Sequence, residues 1–387
     1  MLEWKLIRLG DICKTNENSY YPKDNWKFVN YLDTGSLTEN KITELQYINT
    51  KTDKMPSRAR RKVIKKSILY STVRPNQLHY GIIKEPVDNL LVSTGFTVID
   101  VDTNKAIPEF IYYLLIQNNT TEQLQAIAEQ SVSTYPSIKP SDIENLEFKL
   151  PNLIIQSKIV SILDTIDSKI CQNEKINNNL EQQAQAIYQQ MFIDNPTPDW
   201  IEGSLSDIAN ITMGQSPSGS SYNEDRIGAI FFQGRAEFGF RFPTIRLYTT
   251  EPKRMAYAND ILMSVRAPVG DLNVAHNDCC IGRGLAAIHS KTNHQSFVLY
   301  TMFSLKKQLD VFNGEGTVFG SINRNSLNDM PILIPADEQI EKFELIVAPM
   351  DAAIRNNYDE ICCLQAVRDS LLPRLMSGEL DVSNIDI

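Results

Sequence analysis

The densest chemistry in this 387-residue chain is a run of positive charge, Arg58-Ala59-Arg60-Arg61-Lys62-Val63-Ile64-Lys65-Lys66. Guanidinium and ammonium groups packed this closely suit a row of phosphates. A β-rich run follows and ends at Arg74-Pro75-Asn76, where an arginine held at a turn could reach a base edge with its two-pronged donor set. The same cluster also fits a solvated edge, since lysine-rich edges protect exposed strands. Farther along, Arg235 near Gln233, Arg266 and Arg283 stand beside Gly or Pro turns. Gln215 and Ser216 sit in a polar loop, Gly214-Gln215-Ser216-Pro217-Ser218-Gly219-Ser220-Ser221-Tyr222, which suits phosphate or base contacts and equally a plain surface loop.

No reactive constellation accompanies these residues. There is no Walker loop, and Gly314-Glu315-Gly316-Thr317-Val318-Phe319-Gly320 misses the dinucleotide pattern by one residue. No Asn-Pro-Pro-aromatic tetrapeptide is present, and Pro198-Asp199-Trp200-Ile201-Glu202 lacks the lysine a metal-dependent nuclease needs. His79, His276, His289 and His294 have no ligand spacing, so no metal is expected. Cys13, Cys171, Cys279-Cys280 and Cys362-Cys363 form no Cys-x-x-Cys, which argues against a zinc site or a disulfide framework. The expectation is a chain that binds and orients without catalysis.

The elements that position these groups occur twice. Trp4-Lys5-Leu6-Ile7-Arg8-Leu9-Gly10-Asp11-Ile12 returns as Trp200-Ile201-Glu202-Gly203-Ser204-Leu205-Ser206-Asp207-Ile208. Ser71-Thr72-Val73-Arg74-Pro75 returns as Met263-Ser264-Val265-Arg266-Ala267-Pro268, which sets Arg74 against Arg266. Ser137-Ile138 through Leu150-Pro151 returns as Ser321-Ile322 through Ile334-Pro335. A spacing of roughly 190 residues is far longer than a solenoid unit and fits a whole domain. Each copy alternates short β-rich runs with turns and carries a late amphipathic helix, at Pro108–Gln117 and Gln295–Gln308. That pattern predicts an α+β domain around a curved antiparallel sheet.

After each copy comes a long helical stretch. From Gln156 to Phe192 there is no Gly or Pro, and apolar residues recur in steps of four and three at Ile159, Leu163, Ile166, Ile170 and Leu180. The second copy offers Val347, Met350, Ile354, Ile361, Leu364 and Leu371. Asn173 and Asn177 interrupt the first stripe, and Asn173 maps onto Asn357, which predicts two helices packed on each other with a polar pair fixing their register. Each helix could instead pack only on its own globular domain. Pro349 predicts a kink, or a restart with that proline in the first turn.

A net charge of −9 looks wrong for a nucleic-acid binder, yet it is unevenly spread. Residues 1–150 hold 19 Lys+Arg against 18 Asp+Glu, whereas residues 336–387 hold 4 against 11. The acid lies mainly in the last segment, so each repeat can carry a basic face. No apolar run approaches the ~20 residues of a membrane span, and the default expectation is a cytoplasmic protein.

Taken together, Pro56-Ser57-Arg58-Ala59-Arg60-Arg61, Ser71-Thr72-Val73-Arg74-Pro75-Asn76, Ser93-Thr94-Gly95-Phe96, Thr212-Met213-Gly214-Gln215-Ser216-Pro217, Asp260–Gly270, Ile281-Gly282-Arg283-Gly284 and Leu371–Leu380 give the chain a family likeness over essentially its whole length. It resembles the specificity (S) subunit of Type I restriction–modification systems. Lys66-Ser67-Ile68 departs from the family's usual Gly-Asp before the strand.

The resemblance implies an α+β chain of two tandem α/β target-recognition domains, at 1–152 and 197–335, related by pseudo-two-fold symmetry. They would be separated by two long antiparallel coiled-coil helices, at 153–196 and 336–387. It implies a bipartite double-stranded DNA target with one half-site per domain. Implied partners are two modification subunits that methylate adenine N6, and restriction subunits. S-adenosylmethionine, ATP and Mg would be bound by those partners, with no cofactor in this chain and no membrane. The rival readings are a stand-alone DNA methyltransferase or nuclease, and a scaffold that no longer binds DNA.

Overall fold

The computed structural model describes residues 4–131, 135–314 and 320–385. Residues 315–319, the centre of the glycine-containing stretch that misses the dinucleotide pattern, lie outside them. The chain forms two compact units, Met1–Cys171 with Cys362–Ile387, and Gln172–Ile361.

In the first unit the run Ser67–Ser71 is buried along its whole length because both of its faces are covered. It pairs antiparallel with Phe96–Val101 and Tyr80–Ile83, and Cys13–Thr15 completes the sheet beyond Phe96–Val101. Alternation then sorts the side chains. Leu69, Phe96, Val98 and Ile83 pack against Leu32, Leu90 and Val92 of a second sheet. Ile68, Tyr70, Ile82 and Ile99 face Phe110, Ile111 and Leu114 of the helix Pro108–Leu115.

The second sheet runs Gln46–Asn49, Phe28–Leu32, Leu90–Ser93, Ala59–Lys62. Leu90–Ser93 lies parallel to Phe28–Leu32, while the outer pairs are antiparallel. The expected single antiparallel sheet is therefore two stacked sheets with one parallel pair. A parallel pair needs a long crossover, and here the intervening strands supply it.

The second unit repeats this plan strand for strand. Its first sheet runs Ala209–Met213, Leu285–Ser290, Ile261–Ser264, Leu272–Val274. Its second runs Leu247–Thr249, Ala229–Phe232, Cys279–Ile281, Met255–Ala256, with the short strand Tyr222–Asn223 added at one edge. Again one pair, Ala229–Phe232 with Cys279–Ile281, is parallel. A two-stranded ribbon closes each unit, Lys5–Arg8 with Glu147–Leu150 and Ile201–Ser204 with Pro331–Ile334. Lys66 takes the left-handed conformation (φ 66°), as does its counterpart Asn259 (φ 74°). Ser67 Oγ and the Asp260 carboxylate close the two turns alike, accepting the backbone N–H of Ile64 and Tyr257.

The long helices are Leu153–Tyr188 (36 residues) and Asp337–Met376 (40 residues). The second continues unbroken through Pro349, so no restart occurs there. That proline is exposed and frees only the carbonyl of Leu345, itself 78% exposed, which water can serve.

In the first unit Ile159 and Leu163 pack with Leu372, Leu375, Met376 and the half-buried Leu371. In the second, Val347 and Ile354 pack with Ala184 and the half-buried Leu180 and Met350. Ile170 and Ile361 are buried, Ile166 and Leu364 half-buried. The polar pair is not the one expected. Asn357 donates to Asn177 Oδ1 at 2.8 Å, and Asn177 donates to the Ile354 carbonyl at 3.3 Å. Asn173, one turn earlier, donates to Glu360 Oε2 at 2.7 Å. Partners thus move backward along one helix as they move forward along the other, which defines an antiparallel pair. In such a pair, copies at equivalent repeat positions need not stand opposite each other. The same helices also pack on the domain cores, Tyr188 and Phe343 against Phe297.

Candidate nucleic-acid interface

In the first unit three loops are joined by backbone hydrogen bonds at the end of the sheets. The Arg58 carbonyl accepts the Thr94 N–H at 2.9 Å, and the Gly95 carbonyl accepts the Thr72 N–H at 2.8 Å. A Cβ on Gly95 would stand 2.5 Å from Thr34 Oγ1, so that hydroxyl would have to shift to admit a side chain here. Arg58 and Arg60 are exposed, and neither has an acidic partner among the described residues. Arg60 Nε donates to the Ser57 carbonyl at 3.2 Å.

Arg61 and Lys62 behave differently. Burial pulls the Arg61 pKa below its ordinary value, and its Nε is buried with no hydrogen-bond partner among the described residues. Lys62 is already engaged, 2.9 Å from Asp24 and 5.2 Å from the Trp26 ring. Arg74 is exposed and left-handed (φ 48°), with its guanidinium 5.2 Å over the Tyr135 ring. Asn76 is exposed, and its backbone N–H donates to Gln125 Oε1 at 3.2 Å.

In the second unit four segments meet at a glycine-lined junction. The Gln215 N–H donates to the Ile281 carbonyl (2.9 Å) and the Arg283 N–H to Ser216 Oγ (3.2 Å). The Gly282 N–H donates to the Phe232 carbonyl (2.8 Å) and the Val265 N–H to the Gly284 carbonyl (2.9 Å). A Cβ on Gly214 would lie 2.2 Å from the Gly282 carbonyl oxygen, and one on Gly284 would lie 2.8 Å from that of Gln233. The junction brings together Gln215, Ser216, Gln233, Arg266 and Arg283. Arg266 and Arg283 are exposed and have no acidic partner among the described residues. Arg235 is instead bound to Asp271, which also receives Lys306 at 3.3 Å.

Backbone bonding corrects the match between the two strand ends. Thr72 and Val265 bond Gly95 and Gly284, Val73 and Arg266 bridge Ser137 and Ser321, and Arg74 and Ala267 bond Pro136 and Gly320. Arg266 therefore answers to Val73, and Arg74 to Ala267. A slip of one residue turns the side chain to the other side of an extended chain, so the two arginines are not equivalent.

Sequence reasoning also passed over Arg254. Its carbonyl accepts the Ile281 N–H at 2.9 Å, ahead of the strand Met255–Ala256 that matches Ala59–Lys62. Arg254 is exposed, as is Lys253. The available signal was Pro252-Lys253-Arg254 preceding a short strand, a thinned version of the first cluster.

The histidines are each held by local partners, for example His289 by Asp260 (2.6 Å) and His276 by Asp359 (2.8 Å). Among the described residues no group of three or more His, Cys, Asp or Glu could hold a metal, and no helix is long and apolar enough to cross a membrane.

This geometry, two like domains with exposed arginines on their loops, agrees with the comparisons. The family profile of the type I restriction modification DNA specificity domain matches residues 1–182 and again 198–357. The chain belongs to this family. Specificity subunits are the non-catalytic DNA-recognition subunits of type I restriction–modification complexes.

The chain is 29% identical to a putative type I restriction enzyme MjaX specificity subunit from Methanocaldococcus jannaschii, with 98% of this chain and 94% of that protein covered. It is 26% identical to the HindI specificity subunit from Haemophilus influenzae, over 98% and 100%. The S subunit of a type I system from M. genitalium matches in fold, with a TM-score of 0.59 at 15% identity and coverage of 99% and 97%.

Proposed function

We propose that this specificity subunit binds a bipartite double-stranded DNA target, one half-site per recognition domain. Residues 1–152 and 197–335 are the recognition domains, and 153–196 and 336–387 are the helical spacers. The observation that carries the reading is the doubled fold with exposed arginines that have no acidic partner among the described residues, gathered at matching ends of the two domains: Arg58, Arg60 and Arg74 in one, Arg254, Arg266 and Arg283 in the other. Arg58, Arg60 and Arg254 hold phosphates. Arg74, Arg266 and Arg283, with Gln215, approach base edges.

The acidic helical segment faces two modification subunits, and restriction subunits join that assembly. S-adenosylmethionine, ATP and Mg are bound by those partners. The assembly works in the cytoplasm. Methylome sequencing of a host that expresses the chain with its modification partner tests the proposal. A split methylated sequence, with one half lost on mutation of each domain, is expected. A methylated sequence without a gap, or one untouched by changes in either domain, would overturn it.

A further inference from the structure

The helices Pro108–Leu115 and Gln295–Ser304 are equivalent, with Phe110-Ile111 matching Phe297-Val298, so Tyr113 matches Tyr300. Each tyrosine makes the same contact. Tyr113 Oη donates to Asp167 Oδ2 at 2.7 Å, and Tyr300 Oη donates to Asp351 Oδ1 at 2.9 Å. The two aspartates hold the same place on the long helices, one turn beyond Leu163 and Val347. Both tyrosines are almost fully buried, at 3% and 1% exposure.

An arginine completes each contact, but from a different part of the fold. Arg368 of the C-terminal long helix reaches Asp167 at 3.3 Å. Arg241, from a loop of the second recognition domain, reaches Asp351 at 3.2 Å and Glu181 at 2.9 Å. The arginine has changed its source while the tyrosine–aspartate bond has stayed. Burial raises both tyrosine pKa values well above the ordinary range, so each hydroxyl stays protonated and remains a donor. An apolar side chain would fill the same volume, but a charge-assisted hydrogen bond also fixes direction.

We infer that Tyr113–Asp167 and Tyr300–Asp351 are positioning pairs: each sets the angle at which its recognition domain meets its long helix, and so the spacer lengths the complex accepts. This rests on the two-half-site reading above. The test uses the full chain assembled with its modification subunit, on DNA carrying the mapped half-sites at the preferred spacing and at one base pair more and less. Tyr113→Phe and Tyr300→Phe should keep both half-site sequences. They should raise modification at the off-length spacers, relative to the preferred one, by tenfold or more.

Asp167→Asn and Asp351→Asn keep an acceptor for the hydroxyl but lose its charge and the arginine's ion pair, and should shift the ratio in the same direction by threefold or more. A ratio unchanged in both Phe variants overturns the inference, as does a loss of equal size at every spacing, which marks the pairs as plain stability contacts. If a Phe variant fails to fold, a ratio within threefold of wild type in the matching Asn variant overturns the inference instead. If the wild-type complex modifies no split sequence, the two-half-site reading fails first and this inference with it.

Discussion

The edge strand Ala59–Lys62 of the first unit and Arg58 just before it offer four cations, and the structure separates them. Arg58 and Arg60 are exposed without acidic partners among the described residues, whereas Lys62 is held between Asp24 and Trp26. Each phosphate neutralised on duplex DNA contributes about 0.9 to the slope of log affinity against log salt. The double change Arg58→Ala with Arg60→Ala should therefore lower that slope by about 1.8. Across a fourfold rise in salt, from ~50 to ~200 mM, the variant's deficit relative to wild type should shrink by about 12-fold. Lys62→Ala should leave the slope where it was, because its charge is already engaged. Fluorescence anisotropy of the assembled complex on non-specific duplex, over a series of KCl concentrations, reads both numbers. An unchanged slope in the arginine variant, or a larger change in Lys62→Ala, would refute the assignment of this strand edge to DNA.

Arg74→Ala should weaken binding to one half-site only, by ~1–3 kcal/mol, and Arg266→Ala should act only on the other; competition with single-half-site mutants of the target shows which. Arg241→Met removes the buried cation between Glu181 and Asp351 and should cost about 3 kcal/mol in urea unfolding, the low end for a broken buried pair because the two carboxylates keep 17% and 20% of their side-chain surface. Burial already raises the Glu181 pKa, so in this variant the folded state binds its proton more readily than the unfolded one. The deficit should therefore grow as pH rises through the carboxylate range and shrink as it falls, and a pH-independent deficit would refute the pairing. Inserting four residues after Asn178 adds ~6 Å of helix. The preferred spacer should then lengthen by one or two base pairs at ~3.4 Å each, with some loss of stability as the Asn177–Asn357 bond is displaced. A methylome with an unchanged spacer would mean that helix length does not set it.

The doubling, the two long helices and most of the apolar seam were legible in the sequence because each rests on a period. Ile159, Leu163, Val347 and Ile354 recur in steps set by the helix, and all four are buried. What sequence could not give was pairing between segments distant along the chain. The parallel strands Phe28–Leu32 and Leu90–Ser93 carry no local mark of their direction, so a stacked pair of sheets read as one antiparallel sheet. Asn173 and Asn357 match by repeat position, yet antiparallel packing sets Asn357 against Asn177. The same limit applies at the candidate interface. Arg74 and Arg266 look equivalent as letters and differ by one residue in the ladder, while Arg254 was masked by the thinness of its cluster. Arg235 shows the converse limit, because an arginine beside a turn says nothing of an aspartate a strand away that pairs with it.

The two units differ where they would touch DNA and agree where they hold themselves together, and this has a consequence for the target. The ladders, the closing ribbons and the tyrosine–aspartate bonds repeat, whereas Ser93-Thr94-Gly95 answers to Gly282-Arg283-Gly284 and Arg74 to Ala267. Two identical readers related by a two-fold axis would select a palindrome. Readers with different donor sets must favour different base edges, because the major groove distinguishes all four base pairs by their donors and acceptors. The two half-sites should therefore be unlike in sequence, with the difference greatest at the bases facing Thr94 and Arg283. Replacing Ser93-Thr94-Gly95 by the Gly-Arg-Gly of the second unit should shift the first half-site toward the second at those bases and leave the other half unchanged. A palindromic methylated sequence in the wild type would mean that these loops do not read bases.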